Sequence, residues 1–299
     1  MNIKIGNTPL IELTKEIRAQ NGVRIFAKLE SENAGGSIKS RVALAIIKDA
    51  EEKGLLTGGG RVVEGTSGNT GIGLSIVARA MGYKAVIFMP AYTAKSVVER
   101  IKNSGGEVVL TDGNLGMQGA VEEAKTFAEN TPNCFYANQF HNPVCAAVHY
   151  QTTGAEIWRQ TQGRADIFVA GVGTGGTLTG VARYLKEKKP AVKAVGVEPA
   201  RSPLLSQGWC GAHGIQGIGA NFIPPLFNRS VCDEVFTATD EEALLWAERL
   251  YQAAGLIVGL SSGAALSACV KLAARAENAG KNIVTVFQFD GSRYAMNKK

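Results

Sequence analysis

Short apolar runs rich in β-branched residues alternate along the chain with longer segments whose apolar positions recur about every three to four residues. Runs at 24–29, 61–64, 85–89, 107–110, 167–170, 192–197 and 283–287 read as strands. Helical periodicity covers 39–53, 70–81, 94–104, 117–129, 144–160, 176–188, 240–253 and 262–276. In the first of these, Ile38, Val42, Ala45 and Ile46 fall on one face. Strands alternating with helices predict an α/β protein with parallel sheets covered on both faces. A length of 299 residues favours two lobes. No repeat or low-complexity linker separates them, so the chain is expected to cross between lobes more than once. The weakly periodic stretch 202–225, rich in Gly and Pro, reads as a long loop.

Composition sharpens this picture in three places. The 36 glycines are roughly 12% of the chain against a usual value of about 7%, and they cluster in loops after apolar runs. That placement points to close backbone contact with ligands. The net charge of +6 is spread along the sequence without a polybasic block, which argues against nucleic acid and leaves a mildly basic surface or a funnel for small anions. Cys134, Cys145, Cys210, Cys232 and Cys269 form no CxxC pair, and His141, His149 and His213 are the only histidines. A metal site is therefore not expected, and reduced cysteines suit a cytoplasmic protein. Met1 to Leu13 carries no signal-peptide core, and no apolar run is long enough to span a bilayer.

Four glycine-rich stretches carry candidate chemistry. Ala34-Gly35-Gly36-Ser37-Ile38-Lys39-Ser40-Arg41 places a lysine in the first turn of a helix that Ser37 can cap. The positive end of the helix dipole and any burial would lower the pKa of Lys39, which suits imine chemistry. Taken alone, Lys39 is an ordinary surface lysine. Glu64-Gly65-Thr66-Ser67-Gly68-Asn69-Thr70-Gly71 follows a strand and opens a helix. It is either an anion site or a turn capped by Thr66 or Ser67. Gly171-Val172-Gly173-Thr174-Gly175-Gly176-Thr177 also fits the dinucleotide fingerprint, with Glu198 at the distance of a ribose-binding acid. Its hydroxyls, Thr174 and Thr177, instead suit a terminal phosphate. Gly259-Leu260-Ser261-Ser262-Gly263-Ala264 reads by itself as a helix N-cap. An imine-forming lysine with two anion loops suits pyridoxal phosphate (PLP).

In this order and spacing, the four motifs resemble those of the cysteine synthase (O-acetylserine sulfhydrylase) family of fold-type II PLP enzymes. The resemblance runs from Ile5-Gly6-Asn7-Thr8-Pro9-Leu10 to Asp290-Gly291-Ser292-Arg293-Tyr294, and takes in Asn138-Gln139-Phe140 and Gln216-Gly217-Ile218-Gly219-Ala220. It implies a tryptophan synthase β-like architecture of two lobes, each a mostly parallel twisted sheet flanked by helices. Residues 1–35 with 146–299 would form the larger, cofactor-phosphate-binding domain, and residues 36–145 a smaller, mobile substrate-binding domain. Lys39 would form the Schiff base with PLP and act as acid and base at the substrate Cα. Gly173, Thr174, Gly175, Gly176 and Thr177 would hold the phosphate. Asn69 would bond the phenolic oxygen, and Ser261 would face the pyridine nitrogen. Thr66, Ser67, Gly68, Thr70, Gln139 and Asn221 would bind substrate.

The reaction implied is β-replacement: O-acetyl-L-serine, or a similar activated serine, and sulfide give L-cysteine through an α-aminoacrylate. A serine at the pyridine nitrogen makes the ring a weaker electron sink than a carboxylate would, which suits elimination over transamination. The resemblance also implies a homodimer; the spread of charge and the absence of a long apolar run, not the resemblance, argue against nucleic-acid and membrane partners. The sequence departs from the family pattern at Ala34, Ser40, 90–96 (with Tyr92), His141, Asn221 and Ser292. Asn221 keeps a second expectation open, that of an enzyme releasing sulfide from L-cysteine and forming serine, lanthionine or cystathionine. A nicotinamide-dependent dehydrogenase built on the third loop is the remote alternative.

Overall fold

The structure is a computed structural model, described for residues 3–292. In chain order its elements are β1 (Leu10–Glu12), β2 (Arg24–Leu29), α1 (Lys39–Glu52), β3 (Arg61–Gly65), α2 (Asn69–Met81), β4 (Lys84–Pro90), α3 (Lys95–Asn103), β5 (Gly106–Thr111), α4 (Gly116–Asn130), β6 (Cys134–Tyr136), α5 (Val144–Val148), α6 (Ala155–Gln160), β7 (Ile167–Gly171), α7 (Gly176–Lys188), β8 (Lys193–Pro199), α8 (Leu204–Gln207), β9 (Glu234–Ala238), α9 (Asp240–Ala254), α10 (Leu260–Ala273) and β10 (Asn282–Phe287). The chain is of the α/β class, and it divides into two compact units.

The first unit comprises Asn33–Cys145 and the described part of Met1–Ile5. Its sheet has the order β5-β4-β3-β6, and every pairing is parallel. The strands carry continuous apolar runs because both faces are covered. On one face Val63, Val86 and Phe88 pack against Ala120 and Ala124 of α4. The succession β3, β4, β5 runs outward in one direction, whereas β6 lies on the other side of β3. The loops leaving β3 and β6 therefore part at a topological switch point, where open parallel sheets bind ligands.

The second unit comprises Gly6–Glu32 and the described part of Ala146–Lys299. Its sheet has the order β1-β2-β10-β7-β8-β9, parallel throughout except for β1 against β2. Ile25, Val169, Val195, Leu266 and Ile283 belong to its core. The switch point here lies between β7 and β10, so the loop after Gly171 opens beside the end of β10. A buried ion pair, Lys28 to Glu156 at 2.7 Å, anchors the start of this unit, and Glu156 also accepts the backbone N–H of Asn7.

Three strands and one helical irregularity depart from the expected elements. β1 and β6 have three residues each, and β9 is a half-buried edge strand. The helix expected over 144–160 is three pieces, because a π-helical turn, His149–Gly154, separates α5 from α6. The last helix begins at Leu260 rather than 262 and ends at Ala273. The long loop at 202–225 contains α8.

Candidate active site

In the first unit, the loop after β3 and the loop after β6 form one hydrogen-bonded assembly. The Thr70 hydroxyl, in the first turn of α2, donates to the Gln139 side-chain oxygen at 2.5 Å. The Gln139 backbone N–H donates to Glu64 Oε2 at 3.0 Å. Thr70, Gln139 and Glu64 are all buried. The expected side-chain caps on α2 are not formed: Gly68 is the N-cap, and Thr66 Oγ1 accepts the Gly68 N–H at 3.2 Å. Ser67 is exposed and Asn69 partly so. Helix α2 thus opens without a side-chain cap beside hydroxyl and amide side chains, an arrangement suited to a carboxylate.

Lys39 opens α1. Ser37 is not the N-cap, which is Ile38, but its hydroxyl accepts the Lys39 backbone N–H at 3.3 Å. Ser40 donates instead to the Ala34 carbonyl. Lys39 keeps some accessible surface, yet the protein packed around its amine pushes the pKa below the ordinary lysine value, against opposing contributions from Cys145 and Glu64. Burial also drives the Glu64 carboxyl up to about 8, against the backbone donors and Lys39, which act to lower it. The Cys145 thiol is pushed up to about 12 by the same loss of solvent. A desolvated lysine with a lowered pKa holds a larger neutral fraction, the form that attacks a carbonyl.

In the second unit, residues 173–177 connect β7 to α7. The N-cap of α7 is Gly175, at φ 83°, and no side chain caps the helix. Thr174 Oγ1 accepts the Gly176 N–H at 3.4 Å. A Cβ at Gly173 would lie 2.4 Å from the Gly217 carbonyl oxygen, so only glycine lets these two loops approach. Gly217 also neighbours Ser261: a Cβ there would lie 3.8 Å from Ser261 Oγ. Ser261 is not a capping residue, since the N-cap of α10 is Gly259. Its hydroxyl is buried and has no hydrogen-bond partner. Such orphaned groups are costly unless a ligand satisfies them.

One expectation is corrected here. Glu198 is no ribose-binding acid: its two oxygens accept the N–H groups of Leu205 and Ser206 at 2.7 and 2.9 Å, fixing α8. This removes the dinucleotide reading of the third loop. Asn221 is held by Ser202, whose hydroxyl donates to its Oδ1 at 2.9 Å. It adopts φ 60°, a conformation asparagine tolerates better than most residues.

Within the second unit, a glycine-lined helix N-terminus beside an orphaned hydroxyl suits the phosphate and ring nitrogen of a cofactor, and within the first unit a lysine amine of lowered pKa suits an aldehyde. The pyridoxal-phosphate-dependent enzyme family model matches residues 1–288. The chain is 43% identical to Cysteine synthase A of Escherichia coli (strain K12) over 302 residues, covering 98% of this chain and 92% of that protein. It belongs to the cysteine synthase family of PLP-dependent enzymes. Among solved structures, the Entamoeba histolytica cysteine synthase (OASS) superposes with a TM-score of 0.93 at 42% identity, covering 98% of this chain and 88% of the other. A hydrogen sulfide-producing enzyme from Fusobacterium nucleatum gives 0.90 at 38% identity, covering 97% and 95%.

In this cysteine synthase family member, Glu64, Ser202 and His149 make contacts with candidate site residues that sequence patterns alone do not reveal. Glu64 reads from the sequence as the last strand residue; an acid closing the apolar run Val62-Val63 just before a glycine loop is the signal that marks it. Ser202 and His149 carry no such signal, because their partners Asn221 and Thr177 lie far along the chain. Tyr92 and His141 are exposed, and His141 Nδ1 lies 3.1 Å from Asn138 Oδ1. Ser292 bonds Asp290, whereas Arg293 and Tyr294 lie outside the described residues. No helix among the described residues is long and apolar enough to cross a membrane.

Proposed function

We propose that this chain forms L-cysteine and acetate from O-acetyl-L-serine and sulfide, with PLP as cofactor. The observation that carries the reading is Ser261, a buried, unpartnered hydroxyl beside the glycine cradle, where a pyridine nitrogen finds a neutral partner. Lys39 would hold the cofactor through its amine and would move the proton at the substrate Cα. Asn69 donates to the phenolic oxygen. Gly173, Thr174, Gly175, Gly176 and Thr177 take the phosphate. Thr66, Ser67, Gly68, Thr70 and Gln139 orient the substrate carboxylate. When bound, PLP supplies an electron-withdrawing ring that acidifies the Cα hydrogen. Replacement of acetate by sulfide at Cβ would balance with Lys39 taking the Cα proton and returning it to the product.

In this reading the second unit is the cofactor-phosphate-binding domain and the first a mobile substrate-binding domain. The protein works in the cytoplasm as a homodimer: all five cysteines are free, which suits a reducing compartment, and the dimer follows from the family resemblance. The test is purified holoenzyme given O-acetylserine, O-phosphoserine, serine or cysteine, each with and without sulfide. Cysteine formation fastest from O-acetylserine supports the reading; no cysteine from any donor refutes it.

One observation favours a second reading. Asn221 and its partner Ser202 line one cavity with Val172 and Phe222, so Asn221 brings a polar group to it where the family resemblance leads one to expect glycine. The Fusobacterium relative is described as a hydrogen sulfide-producing enzyme. Sulfide release from L-cysteine alone, faster than cysteine synthesis, would make breakdown the main reaction.

A further inference from the structure

The π-helical turn that interrupts α5 and α6 begins with His149, and His149 is buried. Its Nε2 lies 3.3 Å from the Thr177 hydroxyl, and its Nδ1 lies 3.0 Å from the hydroxyl of Thr153 in the same turn. α7 passes hard against this turn. A Cβ on Gly180 would lie 2.2 Å from the Ala146 carbonyl oxygen and 2.8 Å from His149 Cβ. Gly180 thus brings the imidazole to Thr177, one helical turn earlier on α7. π-Bulges of this kind concentrate at functional sites.

The polarity of this relay has two settings. In one, Nδ1–H donates to Thr153 and the Thr177 hydroxyl donates to Nε2, leaving Thr177 only lone pairs to offer outward. In the other, the Thr153 hydroxyl donates to Nδ1, Nε2–H donates to Thr177, and the Thr177 hydrogen is free. A phosphate oxygen accepts hydrogen bonds and needs the second setting.

We propose that His149 is a positioning residue for the phosphate loop: its Nε2–H occupies a Thr177 lone pair and turns the Thr177 hydroxyl into a donor toward phosphate. The inference rests on the reading that residues 173–177 hold the PLP phosphate.

PLP titration of the apoenzyme, followed by fluorescence, tests it with no reference to turnover. His149→Gln keeps an N–H at the Nε2 position, whereas His149→Asn keeps one only at the Nδ1 position. H149Q is expected to bind PLP within about threefold of wild type and H149N about tenfold more weakly, the loss typical of one charge-assisted hydrogen bond. Thr177→Val should weaken PLP by at least as much, and H149N/T177V no further than T177V alone. Equal affinity in H149Q and H149N, or losses that add in the double variant, would overturn the role of His149. An unchanged affinity in T177V would instead remove the phosphate-loop reading beneath it. Matching apoenzyme melting curves for H149Q and H149N confirm that the comparison is between folded proteins.

Discussion

Thr70 and Gln139 are joined by a 2.5 Å hydrogen bond in which the threonine hydroxyl donates to the side-chain oxygen of the glutamine. This bond decides what Gln139 has left to offer. With Oε1 committed to Thr70, the Nε2 hydrogens are the side that faces a carboxylate. Gln139→Glu replaces those donors with a second negative charge, and kcat/KM for O-acetylserine should fall at least about a hundredfold, mainly through KM. Thr70→Val removes the donor that fixes the amide and should raise KM while costing about 1–3 kcal/mol of stability. Steady-state kinetics and urea unfolding measure both; an unchanged KM in Q139E would remove Gln139 from the substrate site.

The loops that build this assembly were legible because glycine, serine and threonine cluster visibly at the ends of apolar runs. The elements that escaped notice were too short or too exposed to show a period. β6 is three residues between Pro132-Asn133 and Ala137-Asn138, and β9 is an edge strand with no fully buried run. The π-turn was invisible for a different reason. One additional residue per turn leaves the apolar spacing of 144–160 looking like a single α-helix. Residue chemistry was readable locally; partnerships such as Glu64 with Gln139 exist only once β3 and β6 lie side by side.

The lowered pKa of Lys39 should be visible as selective reactivity. Brief exposure of the apoenzyme to PLP at pH 7, followed by borohydride reduction, is expected to label Lys39 ahead of the surface lysines. Peptide mapping reads the outcome, and label spread evenly over surface lysines would count against it. Lys39→Ala should lower turnover roughly a thousandfold or more, since it removes both the anchoring amine and the Cα acid–base group.

Glu64 should impose a pH dependence on stability. Its carboxyl titrates at about 8 in the folded protein against an ordinary 4.5, so the folded state binds this proton more tightly than the unfolded chain. The stabilisation is complete below the ordinary value and is lost as pH rises through about 8. Lys39, with its pKa lowered, contributes in the opposite sense, so the informative quantity is a difference between variants. Relative to Glu64→Gln, the wild-type apoenzyme should lose about 1 kcal/mol per pH unit between pH ~5 and ~8. Urea unfolding at several pH values measures this, and parallel curves for the two proteins would show that Glu64 is ionised throughout.

Ser261 separates the needs of the bare protein from those of the loaded enzyme. Its hydroxyl is buried in α10 without a partner, so the apoenzyme carries an unsatisfied polar group that contributes nothing to the fold. Ser261→Ala deletes that group at almost no change in volume. The apoenzyme should therefore unfold at the same urea concentration or be stabilised by about 1 kcal/mol, the reverse of most buried substitutions. PLP affinity should move the other way, falling about tenfold as the pyridine nitrogen loses its partner. Ser261→Asp offers that nitrogen a carboxylate, which keeps it protonated and strengthens the ring as an electron sink. That variant should gain transamination at the expense of β-replacement, measured as pyridoxamine phosphate accumulating during turnover. A clear loss of apoenzyme stability in S261A would show that the hydroxyl serves the fold, and an unchanged PLP affinity would show that it does not serve the cofactor.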